Sequence, residues 1–176
     1  IFPCWNSYTA AMIGDHCIAA IGDAYIKGVR NFDIEKAYEA MRKNAFESPA
    51  NEKDYQNGMG RRALQSYLKY GYIPLEDSVP DAFHTKEQVS RTLEYAYDDF
   101  VLSKVAKQLQ KNEDYKLLSV RAQNYRNVID PQTGYAQGRY ADGTFLKKQN
   151  AFQFTKFITE GAPCHYTWLC HMIHTD

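Results

Sequence analysis

The sequence TKEQVSRTLEYAYDDFVLSKVAKQLQKNEDYKLLSVRAQNYRNV, residues 85–128, decides the fold of this 176-residue chain. Thr85 and Gln88 stand at the spacing of a capping box, which predicts a long helix that ends near Lys111. Residues 112–114 are polar and predict a short turn into a second helix, which runs to the end of the stretch. Two helices joined by a short polar turn form an αα-hairpin.

The same unit is expected towards the N-terminus. Between residues 8 and 29 apolar side chains recur at intervals of three and four, which predicts a mostly buried helix. Asp33 has the position of an N-cap for a helix that ends near Glu47, and a third helix is predicted over residues 51–70. The two prolines of residues 73–81 predict a turn-rich loop that can line a site.

Towards the C-terminus the pattern is less regular. Glycines among aromatic residues after Pro131 predict a long irregular loop or a short hairpin over residues 140–145, and a last helix is expected to begin near Pro163. The predicted fold class is therefore all-α, built from helical hairpins with one irregular region. Stacked hairpins of this kind form either an open solenoid or a closed toroid, and periodicity does not distinguish the two.

Composition argues against several classes of partner. Lys and Arg total 21 and Asp and Glu also total 21, so no net charge favours nucleic acid or an acidic membrane surface. We expect no membrane span, because no apolar run approaches about 18 residues. A neutral carbohydrate is compatible with this balance, and the 14 tyrosines are more than an ordinary core requires. The four cysteines lack the spacing of a disulfide-stapled domain and leave the redox compartment undecided.

A candidate acid lies near the C-terminus, at Glu160, directly before Gly161. The residues that follow include an imidazole and two aromatic rings, His165, Tyr166 and Trp168. A carboxyl group among such side chains suits a proton donor next to a surface that stacks on sugar rings. The alternative is a carboxylate at a helix N-terminus that the helix dipole stabilises.

A pair of carboxylates is predicted on the long helix. Glu94 and Asp98 are four residues apart and share the sector that continues as Val101 and Leu102, so both are expected to face the core. Like charges at this spacing repel, and a cation, a metal, a shared proton or a hydroxyl-rich ligand has to compensate them. The alternative is structural hydrogen bonding to neighbouring helix ends.

Asp15 and His16 are further candidates for contact with a ligand. They follow Gly14 in the middle of the helix predicted over residues 8–29, so their side chains are expected to be at least partly buried and paired. A single buried histidine usually has a structural role, which is the alternative interpretation.

Cysteine and histidine residues near the C-terminus have the chemistry of zinc ligands. His171 and His174 are one helical turn apart, and thiolate and imidazole both bind zinc. The spacing matches no standard zinc finger, so we predict no metal site in this chain and interpret the cysteines as small apolar residues. The residues concerned are Cys164, His165, Cys170, His171 and His174.

Five ordered blocks of sequence resemble one family. They are MIGDH through AYIKG at residues 12–28, SRTLEYAYDD at 90–99, RAQNY at 121–125, DPQTG at 130–134 and TEG at 159–161. In order and approximate spacing they resemble glycoside hydrolase family 92, the calcium-dependent exo-α-mannosidases. The resemblance covers nearly the whole chain.

The resemblance implies a fold and an activity. The family fold is an (α/α)6 toroid, and residues 1–176 are expected to be an internal fragment of that catalytic domain, with the remainder of the polypeptide as its partner. The implied activity is that of an inverting, α-1,2-mannosidase-like exo-α-mannosidase acting on α-mannoside glycans. The glutamate of the TEG motif is the family's general acid, which assigns that role to Glu160. Substrate binding is assigned to Asp15, His16, Glu94, Asp98, His165, Tyr166 and Trp168.

Other parts of the site are expected outside this chain. By resemblance the cofactor is calcium, with its ligands beyond residue 176, where the general base is also expected. The family's sugar-binding Trp-Asp motif is expected before residue 1. The chain alone is therefore expected to be inactive, and its location is expected to be secreted, periplasmic or at the cell surface.

The match departs from the family after Gly161. The family usually reads TEGNAWQYSW, whereas residues 162–165 here are Ala, Pro, Cys and His. Cys164 in place of tryptophan opens space, and His165 in place of glutamine changes the donors and acceptors beside the acid. A difference in linkage preference or in the leaving-group subsite is expected to follow.

Two other functions are compatible with the sequence. One is a non-catalytic helical-hairpin binding module that displays aromatic side chains to a protein or a glycan. The other is a different (α/α)6 glycosidase or lyase, in which Glu94, Asp98 or His16 performs the acid–base chemistry. Substitution of these residues and of Glu160 distinguishes the three functions.

Overall fold

The computed structural model describes residues 3–4, 7–8, 12–56, 58–78 and 85–168, with only the backbone described at residues 3–4, 7–8 and 168. Short strands β1 (Pro3–Cys4) and β2 (Ser7–Tyr8) pair antiparallel. The helices are α1 (Cys17–Ile26), α2 (Ile34–Phe46), α3 (Glu52–Gln56), α4 (Leu64–Tyr70), α5 (Gln88–Gln108), α6 (Asn112–Arg121) and α7 (Pro163–Trp168), with a 3₁₀ helix (Ala122–Val128) after α6. Among the described helices none is long and apolar enough to cross a bilayer.

Helix α5 is the central element of the fold. Its 21 residues include no glycine or proline, and α1, α2, α6 and the 3₁₀ helix all pack against it. Gly22 allows α1 to approach closely, since a Cβ atom there would lie 2.4 Å from Val101 Cγ1. The core between these helices consists of Ile18, Tyr38, Met41, Ala45, Val101, Leu102, Val105, Ala106 and Leu118. The prediction of a helical fold built from hairpins is confirmed.

A second core lies between the N-terminal half of α5 and the irregular region that follows the 3₁₀ helix. Its buried residues are Tyr72, Val89, Leu93, Ala96, Val128, Ala136, Phe157 and Ile158. A short hairpin occurs where it was predicted, with a bridge between Arg139 and Phe145 and a bond of 2.8 Å from Tyr140 N to Thr144 O. The irregular region is thus held against the first turns of α5.

Helix α2 confirms the capping prediction. Asp33 has an extended backbone, and its carboxylate accepts a hydrogen bond of 3.0 Å from Lys36 N. That bond satisfies one of the N–H groups that a helix N-terminus leaves without an intrahelical partner. The start of α7 at Pro163 was also predicted.

The helix predicted over residues 8–29 is wrong in its first half. Ser7–Tyr8 form β2, and α1 begins only at Cys17. Gly14 has a φ of +88°, which a right-handed helix does not allow. Asp15 and His16 therefore precede the helix, and the prediction that they lie in its middle is wrong.

The helix predicted over residues 51–70 is broken in two. Gly58, Gly60 and Ala63 all have positive φ values, of 82°, 71° and 53°, so the chain leaves helical geometry between α3 and α4. The second part ends as predicted, at Gly71 in the left-handed conformation.

Two boundaries of the α5–α6 hairpin also differ from prediction. Glu87, with a φ of 39° and no side-chain cap, is the N-cap of α5, so Thr85 does not form the expected capping box. After α6 the chain tightens into the 3₁₀ helix, so the second helix is not α-helical as far as Val128.

Candidate functional site

One face of α5 carries three polar side chains at intervals of four residues: Ser90, Glu94 and Asp98. Asp98 contacts the segment before α1, and Ser90 contacts the segment before α7. Glu94 lies between them. The row therefore joins two parts of the chain that are far apart in sequence.

Asp98 lies at the base of this row. It is 0% exposed, and its Oδ2 atom accepts a hydrogen bond of 2.7 Å from Asp15 N. Burial raises the pKa of Asp98 well above its ordinary value, although the positive charge of Arg61 opposes the rise. The contact is a hydrogen bond to the start of a neighbouring helix, which is the structural alternative that the sequence allowed.

Asp15 belongs to the same buried network. Its Oδ1 atom accepts a hydrogen bond of 3.3 Å from Asn44 Nδ2, and its Oδ2 atom lies 3.6 Å from Arg61 Nε. Burial raises the pKa of Asp15, and Arg61 opposes that rise. The expectation of a buried and paired Asp15 is confirmed, although the residue is not helical.

Sequence reasoning missed the buried pair between Arg61 and Asp99. Arg61 Nη1 lies 2.6 Å from Asp99 Oδ1, and Arg121 Nε lies 2.8 Å from Asp99 Oδ2. Asp99 is adjacent to Asp98, so its charge was visible in the sequence, but Arg61 stood in a segment predicted to be helical. The break between α3 and α4 is what brings this arginine to α5.

Glu94 and His16 lie at the more open end of the network. His16 Nδ1 is 3.9 Å from Glu94 Oε2, and the two side chains are 48% and 19% exposed. Burial raises the pKa of Glu94, while the charge of a protonated His16 opposes the rise. His16 is therefore half buried and paired with Glu94, which agrees with the expectation of an at least partly buried side chain.

Glu160 lies in the turn before α7, and its side chain is exposed. Its φ of 51° places a non-glycine residue in the left-handed region, which is uncommon. The residue before it is anchored, because Thr159 N donates a hydrogen bond of 2.9 Å to Ser90 Oγ. A carboxyl group with a fixed backbone and an open side chain is thus held beside the first turn of α5.

Tyr166 connects Glu160 with the polar row on α5. Burial raises the pKa of Tyr166, and the negative charges of Glu94 and Glu160 raise it further, while side-chain hydrogen bonds with Ser90 and Thr159 oppose the rise. The phenol therefore lies within electrostatic range of both carboxylates. Among the predicted site residues, Glu94, Tyr166 and Glu160 interact in this way.

His165 and Trp168 complete the predicted set. His165 is exposed, and its Nδ1 atom accepts a hydrogen bond of 3.1 Å from Ala162 N, so the ring supports the start of α7. Trp168 ends α7, and its side chain lies outside the described residues. The structure therefore relates His165, but not Trp168, to the Glu160 turn.

Metal-binding groups are sparse in the described part of the chain. Its His, Cys, Asp and Glu side chains form no group of three or more that could hold a metal ion. Cys170, His171 and His174 of the zinc alternative lie outside the described residues. The described side chains therefore do not fit a calcium site of their own.

The arrangement suits proton transfer to a neutral ligand. An exposed carboxyl group, a phenol and a partly buried carboxyl group interact electrostatically beside α5. A family model described as "Glycosyl hydrolase family 92 catalytic domain" matches residues 1–173. The chain belongs to glycoside hydrolase family 92.

Solved structures of family 92 have the same backbone arrangement. A family 92 α-mannosidase from Bacteroides thetaiotaomicron is 36% identical with a TM-score of 0.73, and the match covers 89% of this chain and 19% of that one. The same enzyme has been solved with mannoimidazole. A family 92 inverting mannosidase from the same organism is 31% identical with a TM-score of 0.78, over 90% of this chain and 20% of that one.

A curated relative comes from Arthroderma benhamiae. It is named an uncharacterized secreted glycosidase and is 32% identical over 146 residues, which are 75% of this chain and 18% of the relative. The chain thus spans about a fifth of the length of the relatives it matches.

Proposed function

We propose that this chain is part of an inverting exo-α-mannosidase, α-1,2-mannosidase-like, that removes mannose from α-mannoside glycans. The observation that carries the proposal is the placement of Glu160, exposed in a left-handed turn whose backbone is anchored to α5 beside Glu94 and Tyr166. Membership of family 92 and the two solved mannosidase relatives support the substrate class. The name of the curated relative supports an extracellular location.

In the proposed mechanism Glu160 protonates the departing glycosidic oxygen. Inversion also requires a base that activates water on the opposite face of the sugar, and we assign this base to a segment outside the chain. Glu160 is suited to donating a proton because its side chain is open to a ligand while its backbone is held on both sides. Tyr166 and Trp168 are proposed to contact the leaving sugar, and His16 and Glu94 to bind its hydroxyl groups, with Asp15, Asp98 and His165 supporting them.

Calcium enters the proposal only through the family resemblance. Bound calcium supplies a charge that binds sugar hydroxyls and helps to distort the ring. Because the described side chains provide no calcium site, the ligands are proposed to lie in other segments of the longer protein. A complete site therefore requires those segments, and the chain alone is proposed to be inactive.

The test compares two substrates in the longer protein that contains this chain. Glu160→Gln is expected to lower kcat for an α-mannobiose by about 100-fold to 10,000-fold, because its leaving oxygen needs a proton. An aryl α-mannoside with an activated leaving group needs little protonation, so its kcat is expected to fall by no more than about tenfold.

Glu113→Gln is the matched control for this test. Glu113 is an exposed glutamate on α6 that pairs only with Lys116 in the described structure, at 3.2 Å, so its replacement is expected to leave both rates unchanged. Equal losses on both substrates for Glu160→Gln contradict the acid role and indicate a structural one. If the unmodified protein releases no mannose from either substrate, a binding module is the better explanation.

A further inference from the structure

The first turn of α5 holds the backbone that leads to Glu160. Glu87 N donates a hydrogen bond of 3.0 Å to Lys156 O, and Val89 N and Ser90 N donate bonds of 3.1 and 3.3 Å to Phe157 O. The first N–H groups of a helix have no intrahelical partner, so they are available for contacts of this kind. The helix start and the segment before Glu160 are therefore one hydrogen-bonded unit.

The Ser90 side chain makes the contact nearest to the acid. Ser90 is 0% exposed, and its Oγ atom accepts the hydrogen bond from Thr159 N. The same hydroxyl group interacts with Tyr166, whose phenol interacts electrostatically with Glu160. Thr159 directly precedes Glu160, so Ser90 restrains both the peptide before the acid and the phenol beside it.

The backbone of Glu160 needs such a restraint. A non-glycine residue with a φ of 51° is strained and keeps this conformation only if its surroundings enforce it. A general acid also has to remain within hydrogen-bonding reach of the leaving oxygen. Loss of the restraint is expected to move the carboxyl group away from that position.

We propose that Ser90 is a positioning residue for the general acid. It acts through the Thr159 peptide and Tyr166 and does not itself touch the substrate. The inference rests on the proposed role of Glu160 and goes beyond it, because it identifies what fixes the acid in place.

Ser90→Ala in the longer protein tests the proposal, with Ser103→Ala as the control. Ser103 is a second buried serine of α5, 1% exposed, whose hydroxyl bonds Phe100 O of its own helix. Ser90→Ala is expected to lower kcat for α-mannobiose by about tenfold or more, since a misplaced catalytic group can cost up to about 100-fold. With the activated aryl α-mannoside, kcat is expected to stay within about twofold, as are both KM values.

The control separates positioning from packing. Ser103→Ala also removes one buried hydroxyl group from α5. It is expected to change kcat only slightly, and equally for the two substrates. If Ser90→Ala lowers kcat equally for both substrates, or lowers it for neither, the positioning role is overturned. Should that variant fail to fold, Ser90→Cys keeps nearly the same volume with a weak acceptor and is expected to show the same unequal loss.

The failure of this inference can be distinguished from the failure of the proposed acid role. If Glu160→Gln does not discriminate between the substrates, the acid role of Glu160 is wrong, and the inference about Ser90 fails with it. If Glu160→Gln discriminates and neither Ser90 variant does, the acid role stands and only the inference about Ser90 is overturned.

Discussion

Gly14 is the residue at which the segment before α1 meets α5. Its φ is +88°, and a Cβ atom at this position would lie 2.8 Å from His16 Cε1 and 3.1 Å from Glu94 Cβ. Both the backbone conformation and the lack of a side chain are therefore needed for His16 and Glu94 to lie where they do. The glycine supports the site without providing any functional group.

Gly14→Ala is expected to destabilise the protein and to lower the mannosidase activity proposed for the longer protein. The left-handed backbone alone costs a non-glycine residue about 1 to 2 kcal/mol, and the clash with α5 adds about 1 to 3 kcal/mol. Gly28→Ala is the control, because Gly28 has a φ of +98° with nothing within 4 Å of the added atom. Chemical unfolding measures the free energy of unfolding of both variants. Equal losses of that free energy contradict the close packing at Gly14.

The sequence predicted which side chains face the core better than it predicted which residues those side chains contact. Glu94 and Asp98 are on the inner sector of α5, as the four-residue spacing indicated. The partner of Asp98 is the backbone of Asp15, 83 residues earlier, in a segment predicted to be helical. Helical periodicity reports which face of an element is buried, but not which distant segment will cover it.

At the scale of elements, α5 is joined to its neighbours by charge as well as by packing. Asp99 on α5 is 0% exposed and binds Arg61 before α4, Arg121 at the end of α6 and the hydroxyl group of Tyr67, the last at 3.1 Å. Two arginines depend on this carboxylate for charge compensation. A buried network of this kind is costly to break from one side only.

Asp99→Asn is expected to lower the free energy of unfolding by about 3 to 5 kcal/mol, because Arg61 and Arg121 lose a buried counterion and only Arg61 retains a contact with Asp15 Oδ2, at 3.6 Å. Asp23→Asn removes a carboxylate of α1 that pairs with Lys27 at 2.8 Å, where the two side chains are 61% and 70% exposed. That control is expected to cost less than about 1 kcal/mol. Urea unfolding measures the loss of unfolding free energy in the two variants. Similar losses contradict the prediction that the buried network depends on Asp99.

Elements with strong local signals were predicted correctly. Helix α2 with its Asp33 cap, the αα-hairpin of α5 and α6, the hairpin near residue 140 and the start of α7 all depend on nearby residues. The break between α3 and α4 was missed because glycines at positive φ interrupt a stretch whose apolar spacing still suits a helix. The consequence of the break is structural, since it brings Arg61 to Asp99.

At the scale of the whole molecule, charge is balanced but not evenly placed. Burial raises the pKa of Asp15, Glu94 and Asp98 above their ordinary values, against the opposing charges of Arg61 and His16. Burial also acts on Asp114, yet hydrogen bonds from Arg42 and Tyr38 lower its pKa. The three carboxyl groups with raised pKa values lie together at the site. A change in pH is therefore expected to alter the charge of this site first.

Stability is expected to fall as the pH rises above the ordinary carboxyl pKa values of about 4. A carboxyl group whose pKa is higher in the folded state stabilises the protein while it is protonated, and that stability is lost as the pH rises through the folded-state pKa. Unfolding measured at several pH values tests this, and Asp98→Asn should make the decrease shallower. Stability that rises across this range contradicts the raised pKa values.

The remaining helices of the proposed toroid are expected in other segments of the longer protein. The described helices agree in backbone arrangement with family 92 mannosidases, and the (α/α)6 toroid proposed from that family needs further hairpins to close. The apolar residues Leu117, Val120, Phe152 and Phe154 are exposed in the described chain. We propose that the acid comes from this chain and the base from another segment of the same toroid.

The row of Ser90, Glu94 and Asp98 also limits how the length of the chain can vary. Ser90 and Asp98 are about 12 Å apart along α5, and each binds a different segment of backbone. One residue inserted between them shifts the far contact by about 1.5 Å and turns it by about 100°, away from its segment. The stretch of α5 between Ser90 and Asp98 must therefore keep its length for both contacts to form.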